Sequence, residues 1–493
     1  MKDPDEGADS ELEAPLESEL GAALPSAGLA LEAGALTRAE RRRRTDRDIF
    51  RLAWPAVLSQ ALATAVGIAD LAMVGRLGTE AVAAAGYTQQ YFQLAQGALF
   101  GLSAACVALM SRALGAGEPA RARQAFLASL GVGSAISGAI ALLTLAFPRA
   151  LLELLGAQPA IVAEAIPYFR FTLGSSLFFA VALTIESGYR AARNTALPLA
   201  IATGVTLVKL LLNLLLIFGS FGFPKLDLMG AGIATFAAQI FGLALFIPMA
   251  RRRGRPESSV LRVTRADVPG ARALLRETAI VAWPAAGERV LVNSALFIYF
   301  RALSSYGPAA IAAYVIGVRL LAFSWLIPTG ISIAASTLVG QALGARDRRL
   351  AARAGWRAAR LSLLFAVPLF AVFALLRIPL AESFTQDRAV VGPLEPFMLL
   401  LGIAQPFLSL HFTLSGALRG AGDTKTPLWS AVFGNWIFRV PLAVLVVYYF
   451  HADVVWVWGT VVFDHVARAI WLTWSFYRER WAENIGVGVR TAA

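Results

Sequence analysis

Charge is what this chain of 493 residues has least of. Only 15% of its residues are Asp, Glu, Lys or Arg, against about 25% in an ordinary soluble domain. A chain so poor in charge and 57% hydrophobic cannot keep its surface in water. Cysteine is nearly missing as well. The single Cys106 excludes an intrachain disulfide and any cysteine metal cluster. Three histidines, His411, His451 and His465, are too scattered for a zinc motif. β-Barrel alternation is lacking, and runs such as 210–218 are apolar on every face. A membrane transferase would need acids or histidines clustered at one interface with a sizeable loop, and the connections between apolar stretches are too short for one.

What is there in abundance is long apolar stretches. Mean hydropathy is +0.63, and stretches near 20 residues recur, each long enough to cross a hydrocarbon core of ~30 Å. The expected fold is an all-α polytopic membrane protein. Spans fall at about 50–75, 83–113, 122–146, 161–189, 197–219 and 229–250, then at about 277–303, 309–343, 351–376, 391–418, 428–450 and 454–477. Residues 1–47 form a tail, acidic in its first twenty residues and expected to be disordered, without the basic start of a cleaved signal peptide. Residues 251–276 form a basic, partly amphipathic linker. The first lobe covers 48–250, the second 277–478, and 479–493 is a second tail.

The formal net charge of +12 follows topology better than nucleic-acid binding. Arg38, Arg41 to Arg44, Arg112, Arg121, Arg123, Arg190, Arg193, the linker, Arg346, Arg348, Arg349, Arg353, Arg419, Lys425, Arg478 and Arg480 fall on one face of a twelve-span chain. That predicts a plasma (inner) membrane protein with both termini cytoplasmic, and no nucleic-acid partner.

The chain also repeats itself. Sliding it by 229 positions puts Trp54-Pro55 on Trp283-Pro284, Gly78 on Gly307, Ala113-Leu114-Gly115-Ala116 on Ala342-Leu343-Gly344-Ala345, and Arg190, Thr195 and Pro198 on Arg419, Thr424 and Pro427. Six spans per repeat is even, so the repeats share one orientation and are expected to be related by a pseudo-two-fold axis along the membrane normal.

Ionisable and amide side chains at membrane depth are the candidates for function, since each costs at least about 2.5 kcal/mol at the bilayer centre. Asp70 lies in span one. A carboxylate in apolar surroundings is hard to ionise, which suits a proton carrier. Lys209 and Asn213 stand one turn apart in span five, at the depth of Asp70, so the three form one candidate ion-coupling group. Lys209 either pairs with Asp70 or snorkels to an interface. Gln89, Gln93 and Gln96 share one face of span two, which lines a wet cavity or packs between helices, and Tyr91 is near it. Glu186 and Arg190 form an intrahelical pair. In the second half Glu288, Asn293, Arg319 and Asn435 are candidate cavity residues, with Glu288–Arg319 and Asp464 with Arg439 or Arg468 as candidate pairs. Tyr87, Phe92, Phe323 and Trp325 line the cleft or face lipid. Pro55, Pro284, Pro328 and Pro368 are hinges or fixed kinks.

Three motifs carry a resemblance: Pro55 with Val66-Gly67-Ile68-Ala69-Asp70 and Val74-Gly75-Arg76-Leu77-Gly78, Gly230-Ala231-Gly232-Ile233-Ala234-Thr235, and Gly420-Ala421-Gly422-Asp423-Thr424-Lys425-Thr426-Pro427. Together these resemble the multidrug and toxic compound extrusion (MATE) family of the MOP flippase superfamily, over about 50–478. The resemblance implies a V-shaped twelve-helix exporter of two six-helix lobes, exchanging protons or sodium for amphiphilic, often cationic, compounds by alternating access. It makes Asp70 the proton or cation site of the first lobe and matches Asn213 to an asparagine of that cluster. A second acid that many proton-coupled members carry is replaced by Ile217. The acids of sodium-coupled members fall near Val292 and Leu408, where this chain has none, which favours protons while leaving sodium at Asp70 open. The expected protein is a monomeric antiporter in the lipid bilayer with a small amphiphilic substrate, no cofactor beyond its coupling ion, and no enzyme activity. The alternative from the same superfamily is a flippase for a lipid-linked precursor, whose pyrophosphate the arginines of the second half would suit.

Overall fold

The computed structural model describes residues 38–251 and 261–483. The acidic tail to residue 37, linker residues 252–260 and the chain from 484 lie outside them. Among the described residues every regular element is helical. The first six spans are α1 (Arg38–Gly75), α2 (Thr79–Gly115), α3 (Pro119–Ala146), the pair α4 (Pro159–Gly174) and α5 (Ser176–Ala191), α6 (Ala196–Phe218) and α7 (Asp227–Arg251). The second six are α8 (Asp267–Leu303), the pair α9 (Pro308–Ser324) and α10 (Leu326–Gly344), α11 (Arg348–Leu375), α12 (Arg388–Gly420), α13 (Lys425–Ala431) continued by a π-helical segment (Val432–Arg439) and α14 (Val440–Tyr448), and α15 (Val454–Tyr477). Ten of these stretches are long and apolar enough to cross a membrane. The other two spans, α8 and α15, carry Glu288 with Arg289 and Asp464 with Arg468 near their middles.

Two boundaries correct the sequence reading. Helix α1 begins at Arg38, inside the stretch expected to be disordered tail. Asp46 forms an ion pair with Arg357 and Ile49 is buried in an apolar cluster with Leu338 and Leu414, so these turns are held by tertiary contacts. Helix α8 begins at Asp267, not near 277. The Asp267 carboxylate accepts from the Thr264 N–H at 2.8 Å and lies 3.2 Å from Arg123 Nε, which fixes the helix start. Pro328 stands in the first turn of α10, just past the break at Trp325, where a missing N–H costs little. Pro55, Pro284 and Pro368 lie inside α1, α8 and α11.

The duplication reaches the backbone. Left-handed φ recurs at the same offset of 229: Gly78 (115°) with Gly307 (87°), Gly117 (75°) with Arg346 (57°), and Arg193 (60°) with Gly422 (79°). Each marks the sharp turn after a span. The π segment is where the repeat slips. A π turn carries an added residue, so Arg439, one place past the 229 register, takes the position that Lys209 has in the first repeat.

The described chain forms two compact units, one from Leu58–Trp283 with Gly344–Arg346, the other from Arg42–Val57, Pro284–Leu343 and the chain from Asp347. In the first, α2 packs on α3, α4 and α5, and α7 packs on α4 and α6. Its core includes Phe169, Leu173, Ile217 and Leu228. In the second, α12 packs on α9, α11 and α15 around Phe397, Leu408 and Trp458. The unit boundary falls within α1, close to Pro55, and within α8 at Pro284.

Gly78 and Gly307 have φ/ψ of 115/176 and 87/179, a region essentially reserved for glycine, and a Cβ on either meets no atom within 4 Å. Gly78→Ala and Gly307→Ala should therefore each cost about 1–3 kcal/mol through the backbone alone. Gly67→Ala, mid-helix and equally free of neighbours, should be neutral or stabilising by about 0.5–1 kcal/mol. Unfolding midpoints in detergent check this, and equal midpoints for all three would refute it.

Candidate ion-coupling site

Asp70 and the pair Lys209 and Asn213 meet because α6 presents positions one turn apart to α1. Lys209 Nζ donates to Asp70 Oδ2, forming an ion pair, and Asn213 Nδ2 donates to Asp70 Oδ1 at 2.7 Å. One carboxylate thus holds a cation on one oxygen and an amide on the other. The Asp70 and Lys209 side chains keep 28% and 19% exposure, while Asn213 is buried at 1%. Asn213 Oδ1 has no hydrogen-bond partner, so one buried acceptor of the group is left over. Tyr168 of α4 lies within electrostatic reach of Asp70. Below it the wall is apolar: Ile217, one turn past Asn213, is fully buried with Val74 and Leu228.

The other candidates separate. Gln89, Gln93 and Gln96 are all exposed along one face of α2. Tyr91 is spent locally, its hydroxyl donating to the Leu151 carbonyl at 2.6 Å and its ring edge-on to Phe169. Tyr87 likewise donates to the Gly156 carbonyl at 3.4 Å, and Phe92 packs on Phe179. Phe323 and Trp325 are exposed. Glu186 and Arg190 pair within α5. Asn293 is half-buried and Arg319 exposed. Asn435 is fully buried, its amide donating to the Ala431 carbonyl at 3.0 Å.

One pairing expectation fails. Glu288 pairs with Arg419, whose Nη2 reaches its two oxygens at 2.8 and 2.7 Å, and not with Arg319. The repeat held the signal. Arg190 and Arg419 are equivalent positions, but the place of Glu186 is taken by Ser415. Arg419 therefore has no acid one turn back and finds one on α8. Asp464 meets both expected arginines, Arg468 Nε at 2.7 Å and Arg439 Nη1 at 3.9 Å. Sequence reasoning missed that His411 and His465 stack face to face, because they are on different helices with no local pattern between them.

The MatE family model matches the chain twice, over residues 55–215 and 284–445. The two matches start 229 positions apart. The chain belongs to the MatE family. It is 31% identical to the probable multidrug resistance protein NorM of Rhodopseudomonas palustris, over 92% of this chain and 97% of that one. Against the protein of the same name from Thermotoga maritima, identity is 28% over 89% and 93%. The MATE transporter VcmN of Vibrio cholerae, crystallised in its bent form, shares the fold with a TM-score of 0.82 at 22% identity, over 91% of this chain and 99% of that one. The MatE protein described here is thus a multi-pass membrane protein of a transporter family, with the all-helical, twelve-span fold expected from its sequence.

Removing one partner of a largely buried pair leaves an uncompensated charge. Lys209→Met should lower stability by about 1–3 kcal/mol, less than a fully dry pair because of the residual exposure. Adding Asp70→Asn should restore most of the loss. A double-mutant cycle on detergent unfolding midpoints reads this, and strictly additive effects would show that the pair is not coupled.

Proposed function

We propose that this MatE protein is a multidrug efflux antiporter. It exports amphiphilic, cationic organic compounds from the cell in exchange for protons entering through Asp70, by alternating access. The observation that carries the reading is the Asp70 carboxylate shared by Lys209 and Asn213. A carboxylate paired with a lysine at membrane depth can accept a proton or a substrate cation only as Lys209 lets go. One charge site therefore enforces exchange instead of joint binding. Gln89, Gln93 and Gln96 supply exposed amides on the same unit, suited to orienting varied substrates without a fixed charge. In the second unit the residue at one place of a sodium-coupled acid, Leu408, is fully buried among apolar side chains, which supports protons over sodium. The names of the relatives, probable multidrug resistance proteins, support the substrate class. On this reading the protein works as a monomer in the inner membrane, both termini cytoplasmic, and needs nothing beyond its coupling ion.

Asp70 with Asn213 Oδ1, an unpartnered buried acceptor, supplies the oxygen donors a sodium ion would want, so sodium is the second reading. Reconstituted liposomes loaded with a fluorescent organic cation test both. Efflux driven by a pH gradient alone, and reduced at least about tenfold in Asp70→Asn, a loss of 1.4 kcal/mol or more, is the expected result. Efflux driven by sodium alone would overturn the proton reading and keep the antiporter. No efflux with either gradient, in folded protein, would overturn the efflux function and favour anionic, lipid-linked substrates.

A further inference from the structure

We propose that the stacked imidazoles of His411 and His465, together with Asp464, form a second proton-binding site, in the unit that does not hold Asp70. The proposal rests on the proton-coupled reading above for its role in transport, but not for the site itself.

The site lies where α12 meets α15 and the π segment. The rings of His411 and His465 are 5.1 Å apart at their centroids with planes 10° from parallel, and both residues are buried, at 6% and 7% exposure. His411 Nε2 and His465 Nδ1 have no hydrogen-bond partner. Asp464 is 1% exposed, and neither of its oxygens receives a well-directed hydrogen bond although two arginines stand beside it. Two buried imidazole nitrogens without a partner, beside a buried carboxylate whose ion pairs are poorly directed as hydrogen bonds, are unusual in one small region, since an unsatisfied buried polar atom costs about 1–3 kcal/mol. Such groups point to a ligand or to an alternative arrangement. A Cβ at Gly434 would come within 2.0 Å of Asp464 Oδ1 and 2.5 Å of Arg468 Nε, so the carboxylate is packed on the backbone of the π segment. Among the described residues no group of three or more His, Cys, Asp or Glu is placed to hold a metal ion. A proton needs no such group, and imidazole is the side chain whose ordinary titration falls near neutral pH.

The repeat supports the assignment independently. By register Tyr299 stands where Asp70 stands in the first repeat, and Arg439, with the π residue counted, where Lys209 stands. Arg439 lies 4.4 Å over the Tyr299 ring. The second repeat thus keeps a cation at the coupling position and puts a phenol where the acid was. Its acid comes from Asp464 on α15.

Charge sets when the site fills. Facing it are His411 and Arg419 from α12, Arg439 from the π segment, Asp464, His465 and Arg468 from α15, Tyr314 from α9, and Tyr299 and Glu288 from α8, with Arg289 beside Glu288. The titratable groups of α11, Arg348, Arg349, Arg353, Arg357 and Arg360, all lie in its N-terminal half. With neutral rings, Arg419, Arg439 and Arg468 already outnumber Glu288 and Asp464. A further proton is repelled in this conformation. It binds when Arg439 or Arg468 leaves Asp464, so loading is tied to a movement of the π segment or α15.

The chain has only three histidines, which makes the test direct. Wild-type protein labelled with 13C-histidine should give three ring signals, one each for His411, His451 and His465. With a saturating organic cation present, one of the two buried signals should titrate between about pH 5 and 8. Two buried signals that stay constant across that range, with and without the cation, would overturn the proposal. In liposomes, His465→Gln should halve the number of protons moved per organic cation while leaving pH-driven efflux detectable, and an unchanged ratio would also overturn it. Failure of the Asp70 reading would look different: efflux would survive Asp70→Asn while the histidine titration remained.

Discussion

A hydrocarbon core offers a charge nothing, so every ionised group at membrane depth must find its counter-charge within the protein. This constraint organises both units. In the first it is met by Asp70 between Lys209 and Asn213 and by Glu186 with Arg190. In the second it is met by Glu288 with Arg419 and by Asp464 with Arg468 and Arg439. Apolar clusters surround each group, and the helices that carry the charges are the ones whose relative positions the pairs fix. Replacing such a pair by hydrophobic residues is often neutral or stabilising. Pairs of this kind are therefore weak evidence of stability by themselves.

The two repeats show which features are set by backbone geometry and which by chemistry. Sharp turns after spans recur at Gly78 and Gly307, Gly117 and Arg346, and Arg193 and Gly422, even where one member is an arginine that tolerates a left-handed backbone at a cost of roughly 1–2 kcal/mol. Turn geometry is dictated by the need to end one helix and start the next within a few residues. The buried charges follow no such rule. Asp70 has a tyrosine at its counterpart and Glu186 a serine, and the second repeat rebuilds its charge balance from other helices. Duplication preserved the scaffold, and the buried charges diverged on it.

Legibility in the sequence follows the same division. Spans could be read from apolar length, the offset of 229 from matched landmarks, and the grouping of Asp70 with Lys209 and Asn213 from one-turn spacing on α6 and a shared depth. Partners on different helices were read only where such depth or spacing pointed to them. Arg319 stands nearer to Glu288 along the chain, but Arg419 is the residue that reaches it, and only the Ser415 substitution in the repeat hinted at that. The His411–His465 stack has no periodic signature, and the π segment has no composition that sets it apart from the α-helix on either side. The start of α1 at Arg38 was hidden because its first turns are polar and are held by a distant partner, Arg357.

A tethered lysine changes what a coupling carboxylate can do. Asp70 without Lys209 would be a half-buried carboxylate held by the Asn213 amide alone. With Lys209 in place, the ion-free form is a paired site. On the proposed reading the lysine acts as an internal ligand at fixed high local concentration, and every external cation must outcompete it. Proton and substrate then depend on one common step, the release of Lys209. Exchange then requires no communication over distance: two ligands that each need the same carboxylate exclude one another by charge alone. The second unit holds an analogous set, a carboxylate with two arginines, but its excess of cations opposes a proton until an arginine moves. The two units would thus respond to protons in different conformations, a difference that follows from how each repeat solved the same problem of keeping charge out of hydrocarbon.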